Sequence, residues 1–344
     1  MINTSVRFDQ FLKDNINNNE IPSKKKILIT GCSGFIGYYL VKCLAETFKH
    51  KKLEIYGVDR VGLPEKVKNF KFYPRDLYKL KKNNIPNIKF DYIIHLAGIP
   101  SPVYYKQFPL TTIFLNAELT RMLLEISKKN KTKLIYFSSS EIYGNPFDRF
   151  VPTEETYNGN VSSISDRSCY DESKRMGETY SYIYKEYHKV DAKIIRPFNF
   201  YGEGMRVNDE RIIPRFFSQM ISGKPITVFS KGKQTRTYCH IYDAIVMIIK
   251  IIFNGKKFVY NVGNPMEEIS ASNLATKIQN TNKSMKSKAI KIPYPKNYPS
   301  DEPMRRCPSI KNFRSEFNFK PKIRLTTGLK YFNEYAEKNF KISK

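Results

Sequence analysis

The sequence predicts an α/β fold: a Rossmann-type doubly wound parallel sheet with a smaller C-terminal α/β lobe. Three observations predict it. Short apolar runs bounded by Gly, Asp, Ser or Pro alternate with helical patterns from Lys26 to Arg196, a glycine-rich turn joins the first run to the first helical pattern, and an acidic residue, Asp59, closes the second run. Strands covered on both faces read as continuous apolar runs, and their alternation with helices implies a parallel sheet between two helical layers.

Residues 1–25 are a polar extension, rich in Asn, Asp and Lys from Lys13 to Glu20, and this stretch reads as a linker, with the ordered core starting at Lys26. Strands are expected at Lys26–Thr30, Leu53–Asp59, Tyr92–Leu96, Lys133–Ser138 and Lys193–Arg196, and helices at Gly34–Thr47, Leu110–Lys129 and Tyr170–Tyr187. After Pro197 the alternation fades. Residues 26–196 are therefore assigned to one domain and 197–344 mainly to a second lobe of mixed elements, with return segments to the first and Pro-rich loops at Ile292–Pro303. There is no internal repeat and no low-complexity tract.

Composition narrows the function classes. The net charge is +27 over 344 residues, but the lysines are spread almost evenly and accompany abundant Asn and Ile. That pattern reads as a solvated basic surface that attracts anionic small molecules, with no nucleic-acid partner. The longest apolar runs, Lys26–Gly37 and Ala244–Phe253, fall short of the roughly 20 residues needed to span a bilayer, so no membrane span is expected. Met1–Lys25 lacks a signal-peptide pattern, and the five cysteines (Cys32, Cys43, Cys169, Cys239, Cys307) are scattered without a CxxC pair. These features predict a reducing cytoplasm, no disulfide framework and no metal site.

The first chemical motif is Gly31-Cys32-Ser33-Gly34-Phe35-Ile36-Gly37, between the first strand and first helix. Glycines allow the tight turn and let backbone N–H groups approach a pyrophosphate, while the helix N-terminus adds partial positive charge. Asp59, ending the second strand, is placed to accept hydrogen bonds from a ribose 2′-hydroxyl. It would repel a 2′-phosphate, which predicts NAD; Arg60 beside it keeps NADP open. The second motif is Tyr170 with Lys174 in Ser168-Cys169-Tyr170-Asp171-Glu172-Ser173-Lys174-Arg175. A spacing of four puts both on one helix face. An ammonium beside a phenol favours the phenolate, so the tyrosine is expected below its usual pKa of about 10 and able to act as a general base. Tyr78 and Lys82 share the spacing and receive no role.

The Gly-x-x-Gly-x-x-Gly spacing resembles the extended short-chain dehydrogenase/reductases, the NAD-dependent epimerase/dehydratase family. Asp76-Leu77 resembles that family's adenine-contacting acidic pair after the third strand, and His95-Leu96-Ala97-Gly98 its loop along the cofactor. The resemblance makes residues 26–196 the NAD-binding domain and 197–344 mainly the nucleotide-sugar-binding lobe. Ser139, in Phe137-Ser138-Ser139-Ser140-Glu141-Ile142-Tyr143-Gly144, stands where the family has a hydroxyl residue that shares the sugar proton with the tyrosine. Within the family the chain is most similar to UDP-glucuronate decarboxylases (UDP-xylose synthases). Ser101-Pro102-Val103-Tyr104-Tyr105-Lys106 with Pro109 resembles their substrate loop, and Tyr157–Val161 leading into Arg167–Glu172 the loop before their catalytic helix. Asn199, in Arg196-Pro197-Phe198-Asn199-Phe200-Tyr201-Gly202, looks like the Asn that meets the sugar diphosphate. Gly232-Lys233-Gln234-Thr235-Arg236 is similar to the hairpin whose Arg pairs with it, and Arg305–Ile310 to the segment whose Arg, here Arg306, closes over the sugar.

The resemblance implies oxidation of a nucleotide-linked sugar at C4 by Tyr170, with Glu141 as second acid/base and Arg306 beside it, and a homodimer formed through Leu110–Lys129 and Tyr170–Tyr187. From the 4-keto sugar, decarboxylation, 4,6-dehydration and epimerisation all remain open. Ser140-Glu141 differs from the Asp-Glu of glucose-type dehydratases but matches the mannose type. Glu203 replaces the family's usual Pro, and Asn158, Ser162 and Ser163 replace larger or more rigid residues of the decarboxylase loop. A nucleic-acid-binding Rossmann protein would bind with steep salt dependence, and a non-catalytic NAD sensor would have lost Tyr170, Lys174 or Glu141.

Overall fold

A computed structural model of the chain describes residues 4–79, 85–282, 284–285, 287–295 and 302–340. Lys82 and much of the Pro-rich 292–303 loop lie outside the described residues. The first helix, α1 (Thr4–Asn15), precedes β1 (Lys26–Thr30), α2 (Phe35–Lys42, extended by a wider turn over Cys43–Thr47), β2 (Glu54–Asp59), β3 (Phe70–Pro74) and β4 (Tyr92–His95). Then come α3 (Pro102–Gln107), α4 (Pro109–Ile113), α5 (Leu119–Asn130), β5 (Lys133–Phe137), α6 (Ser168–His188), β6 (Ala192–Pro197) and β7 (Phe200–Tyr201). The remainder comprises α7 (Ile212–Ile221), β8 (Ile226–Phe229), β9 (Thr235–Arg236), β10 (Cys239–His240), α8 (Ile241–Asn254), β11 (Val259–Val262), β12 (Ile269–Ser270), α9 (Ala271–Gln279), β13 (Ala289–Ile292), β14 (Arg305–Arg306), α10 (Lys311–Arg314) and α11 (Leu325–Asn339).

The expected doubly wound sheet is present. Seven parallel strands run in the order β11-β6-β5-β4-β1-β2-β3. The five strands read from sequence form its centre, while β3 and β11 complete the edges. The order reverses between β1 and β4, and the loops after these strands open the crevice where doubly wound sheets bind ligands. Strand interiors such as Ile27–Ile29, Ile93–Ile94 and Leu134–Tyr136 are fully buried because helices cover both faces. The α2 and α8 layer packs on one face and the α5 and α6 layer on the other. A separate core built on Phe216, Phe217, Leu274, Leu329 and Phe332 holds the smaller lobe together.

The linker expectation for Lys13–Glu20, and with it a core starting at Lys26, is corrected. Phe8, Leu12 and Ile16, spaced by four, put one apolar stripe of α1 and the turn after it into the main core, where Ile21 joins them. Glu20 accepts hydrogen bonds from Lys250 Nζ of α8 at 2.6 and 2.7 Å. The polar stretch is the outer face of a docked element.

Two packing details fix the helix that carries Tyr170 and Lys174. Gly177 lies against the Tyr136 ring of β5, so any Cβ there would strike that ring and push α6 off the sheet. The Tyr136 hydroxyl in turn donates to the Asn116 and Lys174 carbonyls at 3.2 and 3.4 Å. From β6, Arg196 donates to both oxygens of Glu178 at 2.8 and 2.6 Å, a buried bidentate pair that locks α6 lengthwise.

Candidate active site

The glycine turn sits at the end of β1, with Gly31 at φ +70°. A Cβ on Gly31 would approach Ala97 N to 2.7 Å, so the loops after β1 and β4 close to backbone contact, as only glycine permits. Gly34 is the N-cap of α2 without a side-chain cap, leaving the first amides of the helix, from Phe35 and Ile36, available to an anion. Gly37 allows α2 to cross close over Gly31 and Cys32. Asp59 accepts from the Ser33 and Arg60 amides at 3.0 and 2.7 Å, which aims its carboxylate at this turn; the Arg60 side chain is exposed. Asp76 accepts from Tyr78 N at 3.0 Å beside buried Leu77, and Leu96, Ala97 and Gly98 follow β4 at the same edge. The glycine cradle, an open helix terminus and a carboxylate at the end of β2 together fit the phosphates and adenosine ribose of NAD.

Gly98 links this crevice to the next group. A Cβ there would lie 3.6 Å from Lys174 Nζ. Lys174 is buried in α6, donates to the Phe137 carbonyl at 2.7 Å, and has Nζ 5.8 Å from the centre of the Tyr170 ring. Ser139, immediately after β5, caps the turn Ser140–Tyr143 by accepting from Glu141 N at 3.1 Å, and its side chain is near enough to the Tyr170 phenol to favour the phenolate. Ser140 is buried in that turn. The phenol ring stacks on Tyr105 at 5.2 Å, from α3, whose N-cap is Ser101 and whose first residue is Pro102. The Tyr105 and Ser101 hydroxyls are buried without a hydrogen-bond partner among the described residues, which suits a pocket that awaits a polyhydroxylated ligand.

The expectation that the lysine lowers the phenol's pKa is corrected for the protein alone. Burial raises Tyr170 well above its ordinary value, more than the nearby Ser139 side chain lowers it. Burial also pushes the Lys174 ammonium down to about 7, with Glu178 only partly restoring it. Spacing along a helix says nothing about desolvation, which here penalises each charge separately.

Glu141 is the hub of an ionic cluster. Arg306 clamps it through both nitrogens, one at 2.7 Å from Oε2, and Arg167 meets the same oxygen. Burial alone would raise the carboxyl, but Arg167 and then Arg306 bring it down to about 2, so it is held as a carboxylate rather than a proton donor. Arg236 reaches Glu302 at 2.5 Å, and Arg167 also reaches Glu302 at 3.4 Å and Asp171 at 3.5 Å. The parallel pairing of β14 with β9 sets Arg306 beside Arg236. Asn199, at φ +47°, donates to the Thr237 carbonyl at 2.9 Å just before β10. Arg167 and Glu302 were not singled out from sequence. Arg167 does precede Tyr170 by three residues, which was the available signal.

A Rossmann sheet whose crevice runs from a dinucleotide cradle to a buried tyrosine, lysine and serine defines a dinucleotide-dependent enzyme that exchanges a proton and a hydride with an alcohol or carbonyl. Residues 27–263 match the model of the NAD dependent epimerase/dehydratase family, and the chain belongs to that family. It is 34% identical over 314 residues to UDP-glucuronic acid decarboxylase 3 of Arabidopsis thaliana, covering 90% of this chain and 88% of that one. It is 30% identical over 321 residues to UDP-glucuronic acid decarboxylase 1 of Danio rerio, covering 91% and 74%. Among solved structures it is similar to UDP-glucuronic acid 4-epimerase of Bacillus cereus in complex with UDP-glucuronic acid and NAD, with a TM-score of 0.76, 25% identity, and 91% and 99% coverage. No helix among the described residues is long and apolar enough to cross a membrane.

Proposed function

We propose that this NAD-dependent nucleotide-sugar enzyme decarboxylates a UDP-linked glucuronic acid. The observation that carries the reading is the set of three buried arginines, Arg167, Arg236 and Arg306, around the Tyr170 pocket. A neutral sugar nucleotide brings anionic charge only at its diphosphate, whereas a uronic acid brings charge at both ends. Likeness to UDP-glucuronic acid decarboxylases over about nine-tenths of the chain supports the same reading.

Gly31, Ser33, Gly34, Phe35, Ile36, Gly37, Asp59, Asp76 and the Leu96–Gly98 loop would hold NAD, with Lys174 beside its nicotinamide end. When bound, NAD supplies reversible hydride exchange at the sugar's C4. Tyr170 Oη takes the proton of the C4 hydroxyl, with Ser139 Oγ sharing it. Lys174 supplies the cation that makes the phenolate accessible; burial opposes each charge alone, and pairing them lowers the cost of both. Arg236 and Asn199 bind the diphosphate, and Ser101, Tyr105 and Ser140 line the sugar. Arg306 neutralises the C5 carboxylate while the bond from C5 to the carboxyl carbon breaks, its electron pair passing to the C4 oxygen as carbon dioxide leaves. C5 then takes up one proton that originates in solvent, Glu141 staying a carboxylate that holds Arg306 in place beside it, and Tyr170 returns its own proton to O4. The net reaction releases carbon dioxide and leaves a UDP-pentose.

Residues 26–196 supply the cofactor side and 197–344 mainly the nucleotide-sugar side. Phe108, Leu110 and Ile113 on α3–α4 and Met176, Ile183 and Tyr187 on α6 expose apolar side chains, which supports a homodimer through these helices. The free cysteines support a reducing, cytoplasmic setting. The test is incubation of the protein and NAD with UDP-glucuronate, followed by NMR. Carbon dioxide and a UDP-pentose are expected, and Tyr170→Phe should slow turnover about 10²- to 10⁴-fold. A 4-keto-6-deoxy product from a neutral nucleotide sugar, or a C4 epimer of UDP-glucuronate, would move the chain to a dehydratase or epimerase role.

A further inference from the structure

Each arginine proposed to meet an anionic part of the substrate already faces an internal carboxylate. Arg306 faces Glu141, while Arg236 and Arg167 both face Glu302. With Asp171 beside Arg167, three guanidinium groups face three carboxylates among the described residues, which brings these close to neutrality before any ligand arrives. A diphosphate entering a neutral, mostly buried cluster gains far less than one entering a cationic cluster.

Glu141 and Asp171 are fixed by their positions on the turn after β5 and on α6. Glu302 differs in one respect that decides its role. Arg236 is held without it: Nη1 donates to the Thr235 and Met304 carbonyls at 2.8 and 3.3 Å, and β9 is pinned between β12 and β14. Arg167 is likewise held by Glu141 and Asp171. Removing the charge of Glu302 therefore leaves both guanidinium groups in place and incompletely neutralised. Its side chain is also the more accessible partner, 19% exposed against 9% for Arg236 and 5% for Arg167, so it can turn outward while the arginines stay.

We infer that Glu302 is an internal counter-ion that the substrate's diphosphate displaces from Arg236, and that it thereby limits affinity and admits only ligands charged enough to compete. The inference rests on the proposed nucleotide-sugar site but not on which reaction follows. Glu302 acts through the arginines and is a specificity residue rather than a catalytic one.

The sign of one measurement separates this role from a structural one. Titrate the full chain with NAD present by calorimetry, using UDP and, as neutral control, uridine; GDP, CDP and dTDP are the further probes. Glu302→Gln keeps size and a hydrogen-bond acceptor but removes the charge. It should bind the preferred nucleoside diphosphate about 3- to 10-fold more tightly, with uridine unchanged and the gain shrinking as salt rises. If Glu302 instead orients Arg236, the same substitution weakens binding. Unchanged or weaker diphosphate binding overturns the inference, as does failure of every nucleoside diphosphate to bind either protein. Should Glu302→Gln prove misfolded by circular dichroism, Glu302→Asp shortens the reach and should also tighten binding, by less; weaker binding there is equally fatal. Absence of carbon dioxide release from UDP-glucuronate would sink only the decarboxylase reading.

Discussion

Replacing Lys174 by Met should abolish activity while making the protein more stable at mildly acidic pH. Burial carries the Lys174 ammonium from its ordinary 10.5 to about 7. The sign follows from proton counts. Above about 10.5 neither the folded nor the unfolded chain holds this proton. Between about 10.5 and 7 the unfolded chain binds it and the folded chain does not, so stability falls as pH falls. Below about 7 both hold it and the penalty is constant. The slope inside the window is about 1.4 kcal/mol per pH unit, so going from pH 7.5 to 9.5 the native protein should gain about 2–3 kcal/mol through this one group. Methionine removes that slope. It also forfeits the hydrogen bond to the Phe137 carbonyl, a loss of about 1 kcal/mol. The net expectation is a Lys174→Met protein about 3–4 kcal/mol more stable than the native one at pH 6, with the advantage nearly gone by pH 9.5. Urea unfolding of both proteins at pH 6, 7.5 and 9.5, followed by circular dichroism, measures the difference, in which all other titrating groups cancel. Parallel stability curves, or a Lys174→Met protein weaker at pH 6, would refute the claim that burial dominates this lysine.

Two further outcomes follow from the packing. Gly31→Ala must place a Cβ at φ +70° and 2.7 Å from Ala97 N, so NAD affinity measured by calorimetry should fall at least about tenfold while the fold persists. Phe8→Ala, on the helix inside the expected polar extension, should cost about 3–5 kcal/mol in urea unfolding, since Phe8 is 1% exposed and packs against Tyr39 and Tyr242 at 4.8 and 5.1 Å; a loss under about 1 kcal/mol would restore the expectation of an undocked extension.

What could be read from sequence followed from how locally each feature is encoded. Central strands such as Lys26–Thr30 and Lys133–Phe137 are apolar throughout, and a turn of three spaced glycines can only sit where backbone approaches backbone, so sheet and cradle were legible. The Phe70–Pro74 strand went unread because an edge strand with one covered neighbour has no continuous apolar run. Helix α1 is masked in the sequence because the polar run Lys13–Glu20 overlaps its last turn, although Phe8, Leu12 and Ile16 at intervals of four carry the signal. The roles of Arg167 and Glu302 were illegible for another reason: residues 135 positions apart become partners only through tertiary structure. The phenol's raised pKa belongs with them, since depth of burial is not a property of a four-residue spacing.

The departure at Glu203 shows how the missed helix bears on the site. A proline after Tyr201-Gly202 would stiffen that loop through its ring, whereas a glutamate must be satisfied, because a buried carboxylate without partners is costly. Glu203 is 2% exposed. Tyr242 donates to it at 3.0 Å, His240 lies 3.1 Å away, and Arg7 of α1 approaches at 3.7 Å. Burial raises its carboxyl, yet His240 and the other donors bring the net value below the usual range, so it stays ionised. Arg7 also pairs with Glu334 at 2.9 Å and lies 3.8 Å from the centre of the Tyr331 ring, both on α11. The loop that leads from Asn199 past Gly204 to the Phe35 and Tyr39 rings of α2 is thus tied by one carboxylate to α8, α11 and the N-terminal helix. A charge replaces a ring as the stiffening element, satisfied chiefly by His240 and Tyr242, with Arg7 of α1 as a more distant cation. The N-terminal helix, docked through Phe8, Leu12 and Ile16, thus also reaches the site loop through Arg7.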